Sequence, residues 1–206
     1  MGKVISFISR KGGTGKTTNA INLATALNEL GKKVLLIETD TNYTLTTLRQ
    51  MELYNEGLQE GDAFEIIGSL DDKIPEEIDA IKRRRLDYII VDSAGKTTDE
   101  GIKKLAIKSD AIVVPTSLSQ NDLLVTFQTV TDLKPAQEIN PDLKLMVLPN
   151  RIHSLTGHNT IFDNLRSLEA IILGVRVPQK NLFVNFSTIK SEKEYLDIAK
   201  NIIDQI

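Results

Sequence analysis

A short, largely β-branched run, Val4-Ile5-Ser6-Phe7-Ile8, opens into Lys11-Gly12-Gly13-Thr14-Gly15-Lys16-Thr17-Thr18. Beyond it the hydrophobic pattern becomes helical: Ala20, Leu23, Ala24, Leu27 and Leu30 recur at helical spacing, and Gly31 follows at the expected stop. Few arrangements accommodate this stretch, because a strand must feed a tight glycine turn that itself starts a helix. Val34 to Ile37 is a second apolar run, so the segment reads as one complete βαβ unit. Similar runs follow at Tyr88 to Val91, Ala111 to Val114 and Leu145 to Leu148. Helices are expected over Asp99 to Ile107, Gln120 to Leu133, Thr160 to Leu168 and Glu192 to Ile203. No repeat, low-complexity tract or linker interrupts the pattern. Residues 1–206 are therefore expected to form one α/β domain, a single doubly wound, mostly parallel sheet flanked by helices. In such a sheet, ligands gather beyond the carboxyl ends of the strands.

The glycine-rich stretch departs from the strict Walker pattern, which asks for Gly six positions before the lysine, where this chain has Arg10. It is a variant in the same strand-loop-helix setting. Its glycines let the backbone wrap an anion, and the following helix N-terminus adds favourable potential for phosphate. In a nucleoside triphosphate site, Lys16 is expected to reach the β- and γ-phosphates, Thr17 to ligate Mg²⁺ and Thr18 to meet the α-phosphate. The competing reading, an ordinary glycine-rich turn, fits a lone GxGxxG better than eight matching residues in this context.

Composition narrows the alternatives. Cysteine is absent, which excludes disulfides, thiolate metal sites, iron–sulfur ligation and cysteine nucleophiles. Hydrophobic residues at 41% and charged residues at 26% are ordinary for a globular chain. No apolar run approaches the roughly 20 residues of a membrane helix, and the first strand is too short for a signal peptide. The net charge of −3 gives no global pull toward nucleic acid, so any DNA contact must come from a local basic face. His153 and His158 lack metal-ligand partners at recognised spacing.

The stretch KGGTGKTT resembles the deviant Walker A signature of the ParA/MinD group of P-loop ATPases, distinguished by its early lysine. The resemblance implies ATP and Mg²⁺ as cofactors, and slow hydrolysis of ATP to ADP and phosphate, stimulated by a partner. It also implies that Lys11 reaches across a homodimer, formed in the ATP state, to the partner's phosphates. Loop residues Lys11, Gly12, Gly13, Thr14, Gly15, Lys16, Thr17 and Thr18 would then bind nucleotide, with Lys11, Lys16 and Asp40 in catalysis. Glu38-Thr39-Asp40 resembles the family's second motif, in which Asp40 would position the attacking water and the earlier acid would support the metal site. Alternation places both acids on one side. Here Glu38 replaces the usual Asp, and Thr41-Asn42-Tyr43 replaces the common Pro-Gln-Gly.

Leu86 to Asp92 has the form of a Walker B segment, so Asp92 is expected to hold Mg²⁺ with Thr17, although an Asp at a strand end also suits a helix cap. After it, Ser93-Ala94-Gly95 runs where many relatives have a proline pair, and Gly95 would let this segment sense the γ-phosphate. Leu148-Pro149-Asn150-Arg151 resembles the adenine-side strand, making Asn150 a candidate for the purine edge and Pro178 a candidate wall, while Asn150 also suits a turn cap.

The closest likeness is to short plasmid partition ATPases without an N-terminal DNA-reading extension. It implies a cytoplasmic, nucleoid-associated switch that binds DNA non-specifically when ATP-bound and works with a ParB-type adaptor protein in plasmid or chromosome partition. Arg166, Arg176, Lys180, Lys190 and Lys193 are candidate DNA contacts, although isolated basic residues are commonly just solvated. Lys82-Arg83-Arg84-Arg85, the densest basic run, also fits a helix end. A MinD-like membrane-cycling or other cargo-positioning role is the alternative. The stretch Ala199 to Ile206, with one Lys and one Asp, reads as part of a packed last helix rather than as a basic amphipathic membrane anchor. A metabolic ligase or kinase would need an acceptor pocket, for which the sequence offers no motif.

Overall fold

The computed structural model of the protein describes residues 2–40, 42–70, 73–94, 99–183 and 185–206. Among them, seven strands form one sheet: β1 Lys3–Phe7, β2 Val34–Glu38, β3 Glu65–Gly68, β4 Tyr88–Asp92, β5 Ala111–Thr116, β6 Lys144–Pro149 and β7 Ile171–Ile172. Their spatial order is β3-β2-β4-β1-β5-β6-β7. Every pairing is parallel. The helices are α1 Lys16–Glu29, α2 Thr44–Glu56, α3 Ile74–Ile81, α4 Asp99–Lys108, α5 Gln120–Ile139, α6 His158–Leu165 and α7 Lys193–Ile203.

Strand alternation splits the core in two. Ile5, Phe7, Leu36 and Ile90 face α1 and α7, while Val4, Ile8, Leu35, Ile37, Ile89 and Val91 face α3, α4 and α5. Strands buried on both faces must be continuously apolar, as these runs are. A smaller cluster joins α5 to α6 through Val130, Ile161 and Leu165. The chain leaves β1 toward β2 and β3, returns through β4, and then crosses to β5 on the other side. That reversal opens a crevice at the carboxyl end of β1.

All five expected strands are present, and the sheet is wholly parallel. Two helices and two strands were not anticipated. In α2 the buried positions are Leu45, Arg49 and Leu53, so one of three core-facing residues is charged and the apolar stripe is broken. The α3 helix has only eight residues, β3 is a half-exposed edge strand and β7 spans two residues. Helix α5 runs past Leu133 to Ile139 despite Pro135. Both Pro135 and Thr131, whose carbonyl loses its usual donor to the proline, are exposed, so water can satisfy that oxygen. The α6 helix starts and ends earlier than expected. The basic run Lys82–Arg85 follows the end of α3, where Lys82 is ion-paired with Asp110 and Arg84 with Glu65.

Candidate nucleotide site

The loop after β1 ends at Gly15, the residue before the first turn of α1, in the left-handed region at φ 98°. A Cβ there would lie 2.4 Å from Asn150 Nδ2, so both conformation and space demand glycine. No side chain caps α1. A helix start has no intrahelical acceptor for its first N–H groups, which suits the first turn of α1 to an anion at the mouth of the crevice.

Two buried amides fix the loop from beneath. Asn150 Nδ2 donates to the Thr14 carbonyl at 2.7 Å, and Asn19 Nδ2 donates to the Gly15 carbonyl at 2.7 Å. The Tyr195 hydroxyl from α7 donates to Asn19 Oδ1 at 2.9 Å. Burial pushes the Tyr195 phenol well above its ordinary pKa, which keeps it a neutral donor. Asn150 thus serves the loop as a clamp in addition to facing the cavity described below. The Asn19–Tyr195 relay escaped the sequence reading, since a polar tip on a core aromatic leaves no mark on periodicity.

Lys16 is buried, and its Nζ reaches the Lys11 carbonyl at 3.4 Å. Lys11 lies half-exposed, its Nζ 2.7 Å from Asp122 Oδ1 in the first turn of α5. Burial works to raise the Asp122 pKa, but hydrogen bonds from Lys11 and Ser117 outweigh it and hold the carboxyl below its ordinary value. Arg10, at the position where the strict motif has glycine, is ion-paired with Asp132 on the same helix. Arg10 and Lys11 therefore both moor the loop to α5.

Asp92 ends β4 with 2% exposure. Burial raises its pKa to about 7, against the lowering influence of a hydrogen bond from Thr17 and the charge of Lys16. Its Oδ1 has no hydrogen-bond partner. A buried carboxylate oxygen without a donor is costly, and a cation there would remove the cost. Thr17 and Asp92 thus fit a Mg²⁺ that takes most of its ligands from water and phosphate.

Beside Gly15 and Thr18 opens a cavity of about 420 Å³, lined also by Asn150, Val177, Pro178, Lys180 and Phe183. Its size and place beyond the α-phosphate end of the loop suit a purine nucleoside. Arg151, at its rim, has φ 55°, a strained conformation for a residue with a side chain.

A profile of the CobQ/CobB/MinD/ParA nucleotide binding domain matches residues 5–193. The chain belongs to this family. It is 27% identical over 183 residues to the sporulation initiation inhibitor protein Soj of Bacillus subtilis (strain 168), a match covering 70% of each chain. Among solved structures it is similar to a plasmid partition protein from Borrelia burgdorferi, with TM-score 0.69, 21% identity and coverage of 100% of this chain and 99% of that one. It is also similar to the septum site-determining protein MinD from Pyrococcus horikoshii OT3 complexed with Mg-ADP, with TM-score 0.67, 21% identity and coverage of 98% and 96%. At these identities the structural likeness establishes the fold.

The acid pair of this MinD/ParA-family chain divides rather than acting together. Asp40 is exposed, its carboxylate accepting from Asn42 N–H at 3.1 Å. Glu38 is buried and turned to α2, where it accepts from Leu45 N–H at 2.9 Å, Thr46 N–H at 3.2 Å and the Thr46 hydroxyl at 3.3 Å. Strand alternation stops with the ladder at Glu38, so it no longer governs Asp40. The side chain expected to support the metal is a helix cap. Tyr43, at the end of the unusual Thr41-Asn42-Tyr43, packs its ring where a Cβ on Gly68 of β3 would stand. Thr41 and Gly95 lie outside the described residues.

The basic candidates fall into separate places. Lys190 and Lys193 are exposed beside one shallow depression before and at the start of α7, and Lys180 is paired with Glu194 from its lining. Arg166, at the end of α6, pairs with Asp163 at 3.6 Å, while half-buried Arg176 donates to the Thr156 carbonyl. Among the described residues no helix is long and apolar enough to cross a membrane. Helix α7 buries Tyr195, Ile198, Ala199 and Ile202, as expected of a packed last helix.

Proposed function

We propose that the chain is a Mg-ATP-dependent dimerising switch that binds DNA without sequence preference and hydrolyses ATP slowly, in plasmid or chromosome partition. One observation carries this reading: an uncapped helix N-terminus, buried Lys16 and a carboxylate oxygen without a donor, Asp92 Oδ1, meet at the carboxyl ends of β1 and β4. Lys16 neutralises the β- and γ-phosphates, and Thr17 and Asp92 hold Mg²⁺. Once bound, Mg²⁺ supplies positive charge against the charge that develops on phosphoryl oxygens. Asp40 orients the attacking water. Lys11 leaves Asp122 to reach the phosphates of a second copy, so full assembly of the site awaits dimerisation. Pro178 walls the base, and Asn150 combines loop clamping with base contact.

Likeness to Soj and to a plasmid partition protein supports the partition reading. Lys180, Lys190 and Lys193, gathered near the start of α7, make the leading DNA surface, and a dimer doubles it. A ParB-type adaptor would stimulate turnover, and the ATP form would sit on the nucleoid in the cytoplasm. The test is anisotropy of a labelled random duplex with ATP, ADP or no nucleotide across a salt series. Tighter binding with ATP, and a log–log salt slope of about −0.9 for each phosphate neutralised, is expected. Binding indifferent to nucleotide and salt would sink the reading. Likeness to MinD favours a second, membrane-cycling role. ATP-dependent sedimentation with anionic liposomes, without DNA binding, would select it.

A further inference from the structure

Thr39 lies between the two acids of the second motif, 3% exposed. The last register pair of β2 and β4 is Glu38 with Asp92, and the Thr39 N–H still donates to the Asp92 carbonyl at 3.2 Å. One more parallel rung would direct the Ala94 N–H at the Thr39 carbonyl. Instead, Ala94 N–H donates to the Thr39 hydroxyl at 2.7 Å, and that hydroxyl donates to the Asp92 carbonyl at 3.0 Å. The side chain thereby replaces the next rung. It stitches the two strand ends while the backbone of β2 turns away into the exposed bend that carries Asp40. Beyond Asp92, Ser93 N–H donates to the Phe7 carbonyl at 3.3 Å, so the same end of β4 is tied to the strand that feeds the phosphate loop.

We propose that the Thr39 hydroxyl is a positioning residue for hydrolysis, setting Asp40 against the Asp92 carboxylate and the phosphate loop without touching nucleotide. The inference rests on the ATPase reading above. Its physical basis is the steep dependence of rate on alignment: a misplacement of about 1 Å can cost roughly a hundredfold in rate. Mg-ADP binding draws on the loop, on Lys16 and on the Asp92 carboxylate, whereas of Asp92 the Thr39 hydroxyl meets only the main-chain carbonyl, so ground-state affinity should be spared.

The test compares Thr39→Val, which keeps the shape and removes both bonds, with Thr39→Ser, which keeps the hydroxyl. Steady-state ATP hydrolysis and Mg-ADP affinity are measured on the full chain. Thr39→Val is expected to lower kcat by about 10-fold to 100-fold with KM and Mg-ADP affinity within about twofold, and Thr39→Ser to restore kcat to within about threefold. Introduced into Asp40→Ala, Thr39→Val should cause no further loss, because its effect passes through Asp40. An unchanged kcat, a parallel fall in kcat and nucleotide affinity, an additive double variant, or Thr39→Ser as impaired as Thr39→Val would each overturn the proposal. Should Thr39→Val fail to fold, Thr39→Ala is read by the same criteria. Wild-type protein without ATP hydrolysis would remove the ATPase reading and this inference together. A normal wild type with an unaffected Thr39→Val removes this inference alone.

Discussion

Replacing Glu38 by alanine separates helix capping from metal support. Its buried carboxylate accepts three hydrogen bonds from the first turn of α2, and the residue preceding that turn, Tyr43, contributes no side-chain cap. Hydrogen bonds to a charged group contribute about 1.5–3 kcal/mol each, and an N-terminal cap about 0.5–2 kcal/mol. Against this, alanine relieves a buried charge that acts unfavourably on Asp92, one of the influences raising its pKa. The balance is a loss of about 2 kcal/mol, which for a domain of this size lowers Tm by about 4–8 °C. Glu38→Asp, the residue more usual in the motif, draws the carboxylate back by one methylene and should cost about half as much. Thermal unfolding by circular dichroism, paired with Mg-ADP titration, reads both quantities. The expected result is the lowered Tm with nucleotide affinity within about threefold of wild type. An unchanged Tm with a collapse in Mg²⁺-dependent affinity would refute the capping argument and return Glu38 to the metal.

Three other perturbations probe separate contacts. The Asp92 carboxyl holds its proton up to about pH 7 when folded, against 3.8 as its ordinary value, so the unfolded chain releases that proton first. Ligand-free stability should therefore fall as pH rises from 4 to 7, by up to about 1.4 kcal/mol per pH unit, and Asp92→Asn should remove this component. Urea midpoints across pH 4.5–8 check it, and superimposable profiles for the two proteins would contradict it. Asp122→Ala releases Lys11 from its half-exposed ion pair, a contact contributing about 0.2–1 kcal/mol, so ATP-dependent dimer measured by sedimentation should increase up to about fivefold. A smaller dimer fraction would instead make Asp122 part of the assembled site. Tyr195→Phe leaves Asn19 Oδ1 unpaired beneath the loop and should weaken Mg-ADP binding by about 5-fold to 30-fold through about 1–2 kcal/mol. Unaltered affinity in a calorimetric titration would show that the loop holds its shape without the relay.

The strand-loop-helix unit and the central strands were legible because their constraints are local. Residues 4–31 carry a strand, a phosphate loop and a helix with apolar residues at helical spacing in uninterrupted order, and β4 and β5 are continuous apolar runs. Helix α2 was hidden because its order comes from tertiary partners: Glu38 caps it, and buried Arg49 binds the Thr188 hydroxyl at 2.9 Å while stacking 4.5 Å from the Phe64 ring centroid. Motif spacing singled out Thr17 and Asp92, which the structure brings into a hydrogen bond, but it could not reveal that Glu38 turns from the crevice. The acid's extra methylene and the shift from Pro-Gln-Gly to Thr-Asn-Tyr were visible. Their consequence depended on where α2 and Gly68 lie, which only long-range packing determines.

The account rests on Mg-nucleotide seated in residues 11–18, and equilibrium titration of a fluorescent ATP analogue with Mg²⁺ tests it most directly. Wild-type protein should bind saturably, and Lys16→Ala, verified as folded by circular dichroism, should lose at least about tenfold in affinity with the loss of a charge-assisted contact. Equal affinity in the two proteins, or no saturable binding by wild type, would contradict the assignment of this loop as the nucleotide site.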